Sequence, residues 1–440
     1  MDLPLPLAID AIGKAALAWR RARARGDDPG QALAAHRDVS CRDFYRDIGE
    51  AAERDPVARA ARPWVAAMTL ARVLTPDTSR LAEAMRAPTV LVERPVASRH
   101  SPREALALLL AEADTGRRRE LAAALAAGAE PVADAARILA ERRVEAARLL
   151  DAATALDQER PLPPAATTAL ARRILDATDA MHPPAAHWAD ALGRAMCREA
   201  AAGWPARLGA RWLDEILAPL ALTAGLALEL PPLPKPLGAA SFVRALRLFG
   251  RAVGEADVPR GAPLCVARAP RSVLAARRGA LLASLPLDRV FSVRVLGLGR
   301  DAAKDHVRHL SRAALASLRL DAARVLLGDA LLAPSARDRS DRFTETTAHA
   351  WGAALPPALL GVVPALGPDD ATHLVASVLA ARDRRRLVEE HDEDWFRSPR
   401  AGRTLRDEQQ RSEALEPAAT ADDIDAALGS LLADLAERLG

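Results

Sequence analysis

Histidine pairs are the first place to look for chemistry in this chain. Asp305-His306-Val307-Arg308-His309 sets two histidines at i,i+3. On a helix that spacing puts both rings on one face, where they could chelate a metal. No carboxylate nearby has metalloenzyme spacing, so the favoured reading is two polar histidines on a charged face. The alternative is a metal site that recruits His306, His309 and His349. His182 and His187 flank Pro183-Pro184 and precede Trp188, as in loop packing. His349 stands two residues before Trp351, as a buried cap or core histidine would.

Nucleophile signatures are missing. There is no G-x-S-x-G elbow and no G-x-x-x-x-G-K-[ST] loop. Gly297-Leu298-Gly299 opens like a dinucleotide fingerprint, but Arg300 to Lys304 adds no third glycine, so it reads as a turn before a helix. Cys41, Cys197 and Cys265 are scattered, odd in number and without a C-x-x-C. They read as free, mostly buried thiols in a reducing cytoplasm. His391-Asp392-Glu393-Asp394-Trp395-Phe396 is the densest polar-aromatic cluster. Its acids could hold a metal. They also suit a link between helices, with Trp395 and Phe396 as anchors and Ser398-Pro399 opening the next helix; this structural reading is preferred. No catalytic residue, resident metal or cofactor is expected.

The elements that would position these residues read as helices. Ser101-Pro102-Arg103-Glu104 is a capping box with proline at N1, opening a helix to about Ala113. A second helix runs to Gly128, a natural C′ residue, and a third from Pro131 to about Leu156. Gln158 to Pro164 (QERPLPP) reads as a joint between an N-terminal helical region, 1–157, and a C-terminal one, 165–440, two regions that could also pack as one unit. Leu226 to Leu230 alternates like a short strand. Pro231 to Pro236 has proline at four of six positions and reads as a rigid extended loop. Ser241 then caps a helix from Phe242 to Glu255. Further helices are expected at 272–284, 300–328, 342–355, 368–390, 399–413 and 421–438. The fold class is all-α, a large helical body with at most a few short strands.

Composition agrees. Half of the 440 residues are apolar and only 3% are aromatic. Alanine, leucine and arginine dominate, and all three favour helix. The 61 basic and 58 acidic residues leave a net charge of +3, and the two signs are interspersed. Nucleic acid calls for a concentrated basic stripe. The candidates, Arg20 to Arg25 and Arg382 to Arg386, are short and read as solvated faces, so no nucleic-acid partner is expected. No apolar window reaches 18 residues, and the N-terminus lacks a signal-peptide pattern, so neither a membrane span nor export is expected.

Val388 to Gly402, ending an arginine-rich helix, resembles the R-E-x-F-G-E-D-W-W-R-S-P-E-A-G tract of oligoendopeptidases in the thimet oligopeptidase superfamily. Leu281 to Asp288 resembles the L-F-E-H-L-L-L-D tract after that family's third zinc ligand, and Val295 to Leu327 its late helices. The resemblance implies a helical peptidase body, with Ser241 to Glu255 in place of the zinc-binding H-E-x-x-H helix. This chain contains no H-E-x-x-H. The third-ligand glutamate would fall near Ala275 or Ala276. The oxyanion tyrosine has no counterpart, since the one tyrosine is Tyr45. The resemblance thus implies a peptidase-like shell without its chemistry, in a binding or scaffolding role with a peptide or protein as partner; the alternative is an enzyme of unrelated type, its polar residues brought together only by the fold.

Overall fold

The structure is a computed structural model that describes residues 4–93, 97–150, 162–200, 202–207, 209–259, 261–331, 335–410 and 420–440. Helices dominate. The first group is α1 (Leu5–Arg25), α2 (Pro29–Ala32), α3 (Arg42–Ala52), α4 (Pro56–Val73) and α5 (Thr75–Arg86). A hairpin follows, β1 (Val90–Val92) and β2 (Ser98–His100), then α6 (Pro102–Ala111), α7 (Thr115–Gly128) and α8 (Glu130–Arg148). The next group is α9 (Pro164–Thr178), α10 (Trp188–Ala195), α11 (Ala210–Leu217), α12 (Ala239–Ala256), α13 (Leu264–Ala267), α14 (Val273–Ser284) and α15 (Arg289–Arg294). The last is α16 (Arg300–Ala330), α17 (Ala336–Trp351), α18 (Asp370–His391), α19 (Pro399–Gln409) and α20 (Ala421–Leu439). The all-α expectation therefore holds. No helix among the described residues is long and apolar enough to cross a membrane.

Local chemistry sets many boundaries. Glu104 N–H donates to Ser101 Oγ at 3.2 Å, and Ser101 N–H donates back to Glu104 Oε2 at 2.9 Å, so the capping box that opens α6 is complete. Ser335 Oγ accepts from Asp338 N–H at 3.0 Å and starts α17 earlier than the apolar pattern suggests. That helix stops at Gly352, whose φ is +68°. Gly297, at φ +69°, makes the expected turn ahead of α16.

Other expectations need correction. Gly128 is the last residue of α7 and is not a left-handed cap: its C-cap, Ala129, has φ −93°. It is small for another reason, since a Cβ there would lie 2.8 Å from Thr89 O and Val90 Cα of the hairpin. Leu226 to Leu230 forms no strand. Its alternation is real, because Leu226, Leu228 and Leu230 pack against a core, but no second strand among the described residues lies alongside to complete a ladder. The described strands are instead β1 and β2, antiparallel with Val90 opposite His100 and Val92 opposite Ser98. Ser241 is inside α12, whose N-cap is Gly238, and its Oγ accepts from Leu237 N–H at 3.1 Å. The helix expected to run from Pro131 to about Leu156 ends at Arg148, with Leu149 as its C-cap; Leu156 and the joint at 158–161 lie outside the described residues.

Among the described residues, four sizeable apolar cores form. One gathers Trp19, Trp64 and neighbours from α1, α3, α4 and α8, and is completed by Cys265 and Val266 of α13. A second joins the hairpin and α6, α7 and α10 to Phe343 and Trp351 of α17. A third joins α11, α12, α14 and α18 to Trp395 and Phe396. The fourth joins α9, α16, α18 and α20. Trp395 and Phe396 are both fully buried, as expected of anchors.

Candidate functional site

Three stripes run along α12. Phe242, Ala245, Leu246, Phe249 and Val253 form the apolar stripe and are buried. Gly250 and Gly254 form a second, pressed against α14: a Cβ on Gly250 would lie 2.8 Å from Arg278 O, and one on Gly254 2.8 Å from Ala275 Cα. Arg244, Arg247, Arg251 and Glu255 form the third. Their i, i+3, i+7, i+11 spacing places them on one face. This third stripe is the core of a charged seam between α1, α12, α16 and α18.

At the inner end the seam centres on Asp369, the N-cap residue of α18. Its carboxylate accepts from Arg23 of α1, from Arg271, and from Arg251 at 3.1 Å. Burial alone would raise the Asp369 carboxyl; Arg23, Arg271 and Arg251 outweigh it and hold it well below the usual range. Glu255 accepts from Arg251 at 2.9 Å and from Arg20 at 3.2 Å. Burial opposes its ionisation too, but Arg20 and Arg251 bring its pKa to about 2. Arg251 also lies 3.0 Å from His373 Nε2. A guanidinium can only donate, so that ring nitrogen accepts and the imidazole is neutral. Burial, then Arg251, pushes the His373 pKa down to about 4.

At the outer end, Asp321 of α16 lies between two guanidinium groups, Arg247 at 3.5 Å and Arg324 at 3.0 Å. Asp370 is close by, accepting from Gly367 N–H at 2.8 Å. Burial, with a further push from Asp321 and Asp369, raises its carboxyl to about 7. Chemically the seam offers fixed cationic donors and carboxylates already engaged by them. Among its described residues there is no nucleophile paired with a free base.

The two arginine runs read as solvated faces are split: Arg21, Arg25, Arg382 and Arg385 are exposed, while Arg20, Arg23, Arg384 and Arg386 turn inward to acids. Arg20 and Arg23 reach Glu255 and Asp369, while Arg21 meets Glu229 at 2.7 Å. In the second run, Arg382 pairs with Asp423, Arg386 with Glu408, and Arg384 with Asp288 and Asp434. Arg277 of α14 pairs with Asp383. Arginine's rigid fork suits the inward pairs; acids distant in sequence supply the partners.

The histidines singled out by spacing do not assemble. His306 is buried beside Trp204, ring centroids 6.0 Å apart, and neither of its ring nitrogens has a partner. Burial, then His309, lowers its pKa. His349 is exposed rather than buried, with Nε2 3.0 Å from Asp179 and 3.8 Å from Asp176. Asp176, Asp179 and His349 are the one group among the described residues close enough to share an ion. Neither His306 nor His309 belongs to it, and Arg319 already donates to Asp179 at 2.7 Å. His187 is a cap: its Nδ1 accepts from Ala189 N–H at 3.1 Å. Apart from the seam, a groove of about 490 Å³ is lined by Trp204, Pro205, Pro236, Leu237, Phe242 and Arg198. Trp204 stacks on Phe242 there at 4.5 Å, and Arg198 is turned to Leu110 O.

No protein-family model and no curated protein matches the sequence. The structure does have a precedent. The chain has an oligoendopeptidase-like fold. One such precedent is a crystal structure assigned as an oligoendopeptidase F from Bacillus anthracis strain Ames. It matches over 93% of this chain and 83% of its own, with a TM-score of 0.52 and 10% sequence identity. Likeness at that identity concerns the fold.

Zinc peptidase chemistry needs three protein ligands and an open position for water. The helices that the resemblance sets at the ligands are α12 and α14. They contain no histidine or cysteine, and their one acid, Glu255, is held by Arg20 and Arg251. They meet backbone to backbone at Gly250, Gly254 and Gly279. The polar face beside that contact presents arginines, which repel a divalent cation. These residues do not fit a zinc ion. Sequence reasoning missed the seam. Its one local signal was the charged stripe in an otherwise apolar α12.

Proposed function

We propose that this protein is a non-catalytic member of the peptidase-like fold that binds a peptide or protein segment without cleaving it. The observation that carries this reading is the arginine stripe of α12. Arg244 and Arg247, at its outer end, lie on the helix that the resemblance assigns to H-E-x-x-H, and their charges are fixed at any ordinary pH. Cationic donors on that face can hold peptide carboxylates and carbonyls but cannot activate water.

The test has two readouts on one sample. Purified protein, with and without added zinc, is incubated with a pool of random heptapeptides. Retained metal is measured by elemental analysis and the peptides by mass spectrometry. Peptides that co-elute intact with metal-free protein are the expected result. Stoichiometric zinc together with chelator-sensitive cleavage would sink the proposal.

A further inference from the structure

The outer end of the seam has an unbalanced charge. Arg244 and Arg247 are one turn apart on α12, and Arg324 faces them from α16. Arg247 and Arg324 share Asp321, which is nearly buried, with 9% of its side chain exposed. Arg244 is exposed and has no carboxylate partner among the described residues. The charged groups that act on it most are Arg324 and Arg247, both of its own sign. Arg324 Nε is buried without an acceptor. The remaining acid of this corner, Asp370, carries only part of a charge near neutral pH. Three cations against one full and one partial negative charge leave an excess of one to two positive charges, roughly, by the ordinary charge states of these groups. Arg247, with 35% of its side chain exposed, and Arg324, with 27%, hold buried Asp321 between them and are still partly open to solvent.

That excess matches a singly charged group better than a phosphate dianion. Planar guanidinium forks match a carboxylate in geometry as well. We infer that Arg244, Arg247 and Arg324 form a subsite that takes one carboxylate of a bound peptide, either its C-terminus or an Asp or Glu side chain. This deepens the peptide-binding reading and rests on it. The inner end offers no such place, because Asp369 and Glu255 already engage Arg20, Arg23, Arg251 and Arg271.

The experiment uses the full chain and three random heptapeptide pools: one without Asp or Glu and with a free C-terminus, the same pool amidated, and an amidated pool with one fixed Asp. Retention is quantified by mass spectrometry for wild type, R244Q, R244K and R247Q. At least one acidic pool should be retained about tenfold better than the neutral amide pool, and which one identifies the source of the carboxylate. R244Q should erase that preference, R244K should keep part of it, and raising salt should reduce it. R244Q breaks no ion pair among the described residues, so its melting temperature should match wild type; R247Q gives an independent check on the same corner. Equal retention of all three pools, or an acidic preference that survives R244Q, overturns the subsite and leaves peptide binding standing. Retention of no pool overturns both.

Discussion

Asp369 accepts from arginines that reach it from α1, from α12 and from the turn before α14. A buried ion pair is weak evidence for net stability, but removing one partner strands the other charges. D369N should therefore destabilise the fold by about 3–5 kcal/mol, read by urea denaturation. Asp301→Asn, at an exposed position, should stay within about 0.5 kcal/mol of wild type. The neighbouring acids respond to pH with opposite sign. Glu255 and Asp369 have depressed folded pKa values, so their contribution is present above the ordinary carboxylate range and is lost as pH falls toward about 2. Asp370 is raised to about 7 by burial. Between about 4 and 7 the unfolded chain has lost this proton and the folded chain keeps it, so stability from this group falls as pH rises through that window. D370N removes that penalty. It should stabilise the protein by on the order of 1–2 kcal/mol at pH 8, with the difference closing near pH 4. A D370N gain that did not change with pH would show that the group does not titrate as described.

The contact between α12 and α14 depends on residues without side chains. A Cβ on Gly254 would lie 2.8 Å from Ala275 Cα and 3.1 Å from Gln409 Nε2. Backbone cannot yield as a flexible side chain can, so G254A should cost about 1–3 kcal/mol. G429A, at an exposed position of α20 with open space around it, should instead gain up to about 1 kcal/mol by helix propensity. Loss of stability in both would mean that the close approach is not the cause. Elements of this kind also show what the sequence could reveal. The capping box at Ser101, the turn at Gly297 and the start at Ser398 are local, so α6, α16 and α19 begin where the sequence puts them. Leu226 to Leu230 was misread because alternation records which residues face the core, not whether a second strand is present. Hairpin strands of three residues carry too little pattern to be seen. The site was half legible. The stripe on α12 follows from spacing alone, but Arg23 and Asp369 are 346 residues apart, and only the fold brings them together.

The N-terminal helices are tied to the rest by several different contacts. Cys265 and Val266 complete the core around Trp19 and Trp64. Trp64 Nε1 donates to Arg268 O at 2.6 Å, and Trp19 meets Trp64 edge to face at 5.6 Å. Arg20 and Arg23 end on acids of α12 and the α18 cap. The apolar contacts supply most of the stabilisation and the ion pairs fix the register, because misplacing α1 would leave Asp369 short of a partner in a buried setting. Regions 1–157 and 165–440 are therefore expected to unfold together. Hydrogen exchange with increasing urea should show α4, in the first region, and α18, in the second, losing protection at a shared midpoint. D369N should lower both midpoints by the same amount, since the stranded arginines come from each side of the boundary. If α4 opened at a lower urea concentration while α18 stayed protected, the regions would be separate cooperative units and the seam only an interface between them.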